Sequence, residues 1–152
     1  MATAALLFEA SISDGINAQL ALLHEEDDTA LEVDEAYITL GYDLGFVNAG
    51  LFYMPFGSFV SNLVSDPLTL EIGEIRESAI EVGVNVGSVV ASAYFFNGDI
   101  DDNKGQDKAQ TEMYGMSFAF VGGNDSVNYE LGAGYISSIV DTDTLQGVVS
   151  TV

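Results

Sequence analysis

The 152-residue sequence predicts an all-β fold: an antiparallel up-and-down transmembrane β-barrel, present as an incomplete fragment of about nine strands. Three observations predict it. Apolar residues alternate with polar residues or glycine along most segments. Short turns alternate with long, mostly polar connections, and aromatic residues gather at the ends of the apolar faces. Side chains on a strand point alternately to opposite faces, so each alternating segment has one greasy and one wet face. A soluble sheet usually carries Lys, Arg and Glu in quantity on its wet face. Here that face carries Gly, Ser, Asn and isolated Glu, as the water-filled lumen of a membrane barrel would.

The elements follow in order. Strands are expected near residues 5–13 and 17–23, separated by Asp14-Gly15-Ile16, a turn by composition. The third, near 31–43, sets Ala36, Ile38, Leu40 and Tyr42 against Glu35, Tyr37, Thr39 and Gly41. Leu44-Gly45 turns it into the fourth, near 46–54, which Pro55 ends because proline donates no ladder hydrogen bond. The fifth, near 79–87, alternates Ile80, Val82, Val84 and Val86 with Glu81, Gly83, Asn85 and Gly87. The Gly87-Ser88 corner leads to the sixth, near 89–97, and Gly122-Gly123-Asn124-Asp125 joins the seventh, near 112–121, to the eighth, near 126–136. In the eighth, Val127, Tyr129, Leu131, Ala133 and Tyr135 oppose Asn128, Glu130, Gly132 and Gly134. A ninth is expected near 144–151. The long connections are 24–30, 55–78, 98–111 and 137–143. Short turns on one side and long loops on the other match the periplasmic and extracellular ends of a bacterial outer-membrane barrel.

On the apolar faces, Tyr42, Phe120 and Tyr129 adjoin short turns, while Tyr53, Phe95, Tyr114 and Tyr135 adjoin long loops. Leu40, Leu51, Val84, Ala91 and Leu131 fill the band between. Two aromatic girdles around an aliphatic band are what two membrane–water interfaces select, although tyrosine and phenylalanine also favour strands in general. An odd strand count departs from the even number of bacterial single-chain barrels. The expectation is therefore one wall of a larger barrel, with two unpaired edges.

Composition narrows the function. A formal charge of −21 from 24 Asp plus Glu against three Lys plus Arg leaves no basic surface for nucleic acid. A hydrophobic fraction of 48% excludes intrinsic disorder. With no cysteine there are no disulfides, thiolate metal sites or thiol nucleophiles. Met1 to Ala5 lacks the basic region and apolar core of a signal peptide; an outer-membrane protein needs one, so the natural N-terminus is expected upstream.

Residues 31–41 (Leu-Glu-Val-Asp-Glu-Ala-Tyr-Ile-Thr-Leu-Gly), 53–57 (Tyr-Met-Pro-Phe-Gly) and 65–74 (Ser-Asp-Pro-Leu-Thr-Leu-Glu-Ile-Gly-Glu) resemble the LbtU family of siderophore porins. The resemblance is clearest over 31–80 and extends to about 138. It implies an outer-membrane β-barrel that admits a ferric siderophore. The sequence departs from that family in lacking the signal peptide, the region before the barrel and the remaining strands. The resemblance carries over no catalytic residues.

Candidate pore-lining residues are Glu35, Tyr37, Glu81, Asn85, Tyr94, Asn128 and Glu130, since carboxylate rings favour cations and polar side chains replace lost hydration. For any one of them, a solvated wall without a specific site is the plainer reading. The 55–78 connection folds either into the lumen as a constriction or over the barrel mouth as a cap, with Asp66, Glu71, Glu74 and Arg76 as its candidate residues. Arg76, the only arginine, is expected to form a local ion pair with Glu71, Glu74 or Glu77.

Asp99 to Gly105 has oxygens at alternate positions, but Lys104 stands where a calcium loop needs glycine and no Glu follows at the twelfth position. A solvated acidic loop is expected, with no metal and no cofactor. His24, the only histidine, sits in an acidic loop, so enzymatic chemistry is not expected. The expected partners are outer-membrane lipids and a small solute, a ferric siderophore by resemblance. A general cation-preferring diffusion porin and a soluble secreted β-sandwich module are the competing readings.

Overall fold

The computed structural model describes residues 3–25, 31–56, 74–97, 112–124 and 127–137. Among the described residues eight strands are formed: β1 (Thr3–Ser13), β2 (Ile16–Glu25), β3 (Glu32–Tyr42), β4 (Gly45–Tyr53), β5 (Arg76–Val86), β6 (Val89–Asn97), β7 (Glu112–Gly123) and β8 (Asn128–Ile136). They make one sheet in sequence order, every neighbour antiparallel. The all-β, up-and-down expectation holds. The sheet is open: β1 and β8 are not paired with each other. The ninth strand expected near 144–151 lies outside the described residues.

Boundaries shift where ladder pairing outruns composition. β5 begins at Arg76, because Tyr53 pairs with Arg76 and the Met54 amide donates to the Ile75 carbonyl at 2.8 Å. The connection expected over 55–78 is therefore shorter at its C-terminal end, and Arg76 is a strand residue. Likewise Gly45 opens β4, leaving Asp43-Leu44 as the turn. At the β1–β2 turn, Gly15 takes φ +75°, a left-handed conformation suited to glycine.

Two bulges interrupt the ladders. Ile12 is the extra residue between the Ser11–Asn17 and Ser13–Ile16 pairs, and Asp34 the extra residue between the Glu35–Ala21 and Val33–Leu22 pairs.

Burial reverses the arrangement of a soluble sheet. Ile80, Val82 and Val84 on β5, Leu131 on β8 and Phe118 on β7 are all exposed, while Glu81 and Ser92 on the opposite face are buried. A single sheet can bury one face only by curling. Phe56 shows that it does. Its backbone comes within 3.5 Å of a Cβ built on Gly134 of β8. In a flat sheet β8 would lie four ladders from β4, about 19 Å away, whereas three residues beyond Tyr53 reach only about 10 Å. On the concave face, toward the long connections, Phe52, Met54, Ile75, Phe96, Met113 and Ile136 form the apolar core, with Tyr37 and Phe56 packed against it.

Glycines opposite aromatic residues let the rings lie against the sheet. Tyr37 pairs with Gly50, Tyr42 with Gly45, Phe46 with Gly83, Tyr94 with Gly115 and Tyr129 with Gly122. In each pair, a Cβ on the glycine would collide with the aromatic residue. This covering of glycine by a cross-strand ring pins register in curved sheets.

Candidate pore-lining face and internal strap

A row of polar residues crosses the concave face in register. Ser11 pairs with Asn17, Asn17 with Thr39, Thr39 with Asn48, Asn48 with Glu81 and Glu81 with Tyr94. Period-two alternation puts all six on one face. Ser11 Oγ donates to Asn17 Oδ1 at 2.8 Å. Thr39 Oγ1 donates to Asn48 Oδ1 at 2.7 Å, which turns the Asn48 amide nitrogen toward Glu81, where it donates to Oε2 at 2.8 Å. Glu81 is 6% exposed, so that amide bond offsets part of the cost of burying its carboxylate. Tyr94 is fully buried, its hydroxyl 3.5 Å from the Tyr135 carbonyl oxygen.

One step toward the long connections, Gln19 Nε2 donates to Glu35 Oε2 at 3.0 Å, and Tyr37 stands edge-on to Phe52 with ring centroids 5.6 Å apart. One step toward the short turns, Ser92 and Ser117 share a 2.8 Å hydroxyl hydrogen bond. Below this level lies a cavity of about 530 Å³ lined by Pro55, Glu81, Ser92, Ser117, Glu130 and Gly134 among others.

Glu35, Tyr37, Glu81 and Tyr94 are therefore gathered on the concave face. Asn85, Asn128 and Glu130 share that face by alternation but are exposed near the short turns; the Asn85 amide donates to the Leu44 carbonyl at 2.8 Å. Glu74 is half-buried just before β5. Asp66, Glu71 and the Asp99–Gly105 run lie outside the described residues.

Arg76 sits on a strand and not within the connection. It pairs with Tyr53, on the same face as Ser78 and Ile80, the convex one. Its guanidinium donates to Asp34 Oδ1 at 2.9 Å and lies 3.8 Å from Glu32 Oε1. Tyr53 also donates to Asp34 Oδ1, at 2.8 Å. The ion pairs thus reach across the sheet to β3, because β4 and β5 bring the two strands level and the bulge at Asp34 re-aims its carboxylate.

Sequence reasoning missed Gln19, Thr39, Asn48, Ser92 and Ser117 as partners, and missed the seat of Phe56 on β8. The first five sit on the wet side of alternating strands, a signal that was available. Phe56 belonged to the 53–57 motif and to the 55–78 connection, but no local signal pointed it at Gly134.

The convex face carries the aromatic ends. Tyr114 and Tyr135 lie 6.2 Å apart near the long connections, and Phe120 and Tyr129 lie 6.1 Å apart near the short turn. A shallow groove of about 610 Å³ between them is lined by Val82, Val84, Ala91, Ala93, Met116 and Ala133 among others.

The fold and its faces define a curled, open antiparallel β-sheet with an apolar convex face and a partly filled concave face that carries the polar row. No protein-family model matches the chain, and no solved structure matches it. It is similar to a UPF0422 protein of Legionella pneumophila (strain Lens), with 24% identity over 156 residues that cover 94% of this chain and 29% of that protein. It is also similar to a UPF0422 protein of Coxiella burnetii, with 25% identity over 140 residues that cover 86% of this chain and 30% of that protein. The chain spans less than a third of the length of these curated relatives.

Proposed function

We propose that this chain is part of the wall of an outer-membrane β-barrel in the bacterial envelope, one that carries a small solute by binding and diffusion through its lumen. One observation carries the reading: the convex face is exposed and apolar while carboxylates, amides and hydroxyls line the concave face. Exposing Leu131, Phe118 and Val82 to water would be costly, at about 25 cal/mol per Å² of apolar surface, and a bilayer removes that cost. Aromatic pairs at both ends of the band and an outer groove of acyl-chain character support the same reading. A β-sandwich module would need a second sheet over this face, and among the described residues there is one sheet.

The favoured solute is a ferric siderophore, on the strength of the resemblance at 31–41, 53–57 and 65–74. A general cation-preferring pore is the second reading, favoured by Glu35, Glu81 and Glu130 on the concave face while Arg76 faces the other way. Acidic walls repel an anionic iron complex at long range, which weighs against the first.

The full-length protein should remain in the detergent phase and run faster on gels before heating than after. Partition into buffer with no heat-dependent shift would sink the barrel reading. Equal uptake of labelled ferric siderophore by cells with and without the gene would remove the siderophore and leave the pore.

A further inference from the structure

We propose that Met54–Phe56 is a fixed apolar strap across the concave face, with Phe56 seated on Gly134, and that this contact sets the size limit for solute passage. The transport consequence rests on the channel reading above; the contact itself does not.

The strap is built to hold one shape. The Phe56 amide donates to the Met54 carbonyl at 2.7 Å, a two-residue return with Pro55 at its centre. That is the hydrogen bond of a γ-turn, and the proline ring presets a φ close to what the inverse γ-turn needs. The Met54 end is anchored, since its amide is bonded to the Ile75 carbonyl and these two residues are 6% and 1% exposed. The far end needs a smooth seat. A Cβ on Gly134 would stand 3.4 Å from Phe56 Cδ2 and 3.5 Å from its Cα and carbonyl carbon. Any side chain longer than alanine would lift the ring.

Position turns the strap into a constriction. Pro55 forms one wall of the cavity that Glu81, Ser92, Ser117 and Glu130 line, so an apolar bar lies against a passage carrying two carboxylates and two hydroxyls. Narrow apolar stretches in polar pores limit passage by size and by dewetting.

The test uses the full-length protein carrying Phe56→Cys and Gly134→Cys; the sequence here has no cysteine to compete. A Cβ at 134 stands 3.5 Å from Phe56 Cα, so the two Cα atoms lie within about 5 Å, inside the span a disulfide bridges. Oxidation should give an intramolecular cross-link, seen by mass spectrometry of the joined peptides, as efficiently as the Met54→Cys/Ile75→Cys control. Separately, Phe56→Ala should raise single-channel conductance and admit larger polyethylene glycols, while Gly134→Ala leaves both unchanged. A control that cross-links while the 56/134 pair does not would overturn the seat. Cross-linking with unaltered conductance and exclusion size in Phe56→Ala would overturn the size limit. A protein that cross-links yet never conducts would refute the channel reading, and the size limit with it, while the seat stands.

Discussion

Gly50→Ala isolates how strongly the curl of this sheet depends on close backbone approach. Gly50 has φ +142°, a region that L side chains rarely adopt. A Cβ there would collide with the Ala36 carbonyl oxygen and lie 2.6 Å from Tyr37 Cα and 2.8 Å from Tyr37 Cβ, where ordinary contact begins at 3.4 Å. These are backbone and near-backbone atoms of β3, held by the Tyr37–Gly50 and Ile38–Ala49 pairs, so they cannot swing aside as a side-chain tip could. Forcing a non-glycine residue into such a conformation costs about 1–3 kcal/mol, and overpacking adds about 1–3 kcal/mol. The expected loss is therefore on the order of 2–6 kcal/mol, a large fraction of the roughly 5–15 kcal/mol that holds a typical domain folded. Gly132→Ala is the matched control, because its Cβ would meet only the Phe118 carbonyl oxygen at 3.6 Å; it should stay within about 0.5 kcal/mol of the parent. The assay is the urea midpoint of the full-length protein in lipid vesicles, followed by far-ultraviolet circular dichroism. Equal midpoints for the two variants would refute the close-approach reasoning.

Gly115→Ala should destabilise by about 1–3 kcal/mol through collision with the fully buried Tyr94 ring; adding Tyr94→Ala should give a non-additive double-mutant cycle, and strict additivity would show that the ring is not what the new methyl meets. Asn48→Leu removes both the donor to Glu81 and the acceptor of Thr39, so a loss of about 1–3 kcal/mol is expected in the same urea titration. Asp34→Asn weakens the joint acceptor of Tyr53 and Arg76 at a partly exposed site, where the loss should stay near 1 kcal/mol and shrink further in high salt. Glu81→Gln should lower cation-over-anion permeability in bilayer recordings; unchanged selectivity would take Glu81 out of the permeation path.

The strands were legible because a strand's side-chain period is local: Ile80 to Val86 declare two faces without reference to any other part of the chain. Short turns around Gly15 and Gly87 were equally legible, since turn chemistry is written in adjacent residues. The alternation also placed Glu35, Tyr37, Glu81 and Tyr94 on a common side. It could not say who their neighbours were. Register depends on loop length, bulges and pairing with strands far along the chain, so the Thr39–Asn48–Glu81 chain of hydrogen bonds became visible only once three strands were aligned. Arg76 illustrates the same limit. Its sequence neighbours are acidic, yet the carboxylate it grips belongs to a bulge more than forty residues earlier.

By itself, then, the sequence determined that this protein is a meander of amphipathic strands with one apolar and one polar face. Which face would be hidden was decided by the curl. Glycines beneath Tyr37, Phe46 and Tyr94 and the Met54–Phe56 strap draw the polar face inward and leave Ile80, Val82 and Leu131 outward. Curvature is a sum of small contacts between distant strands, and no local stretch of sequence contains it.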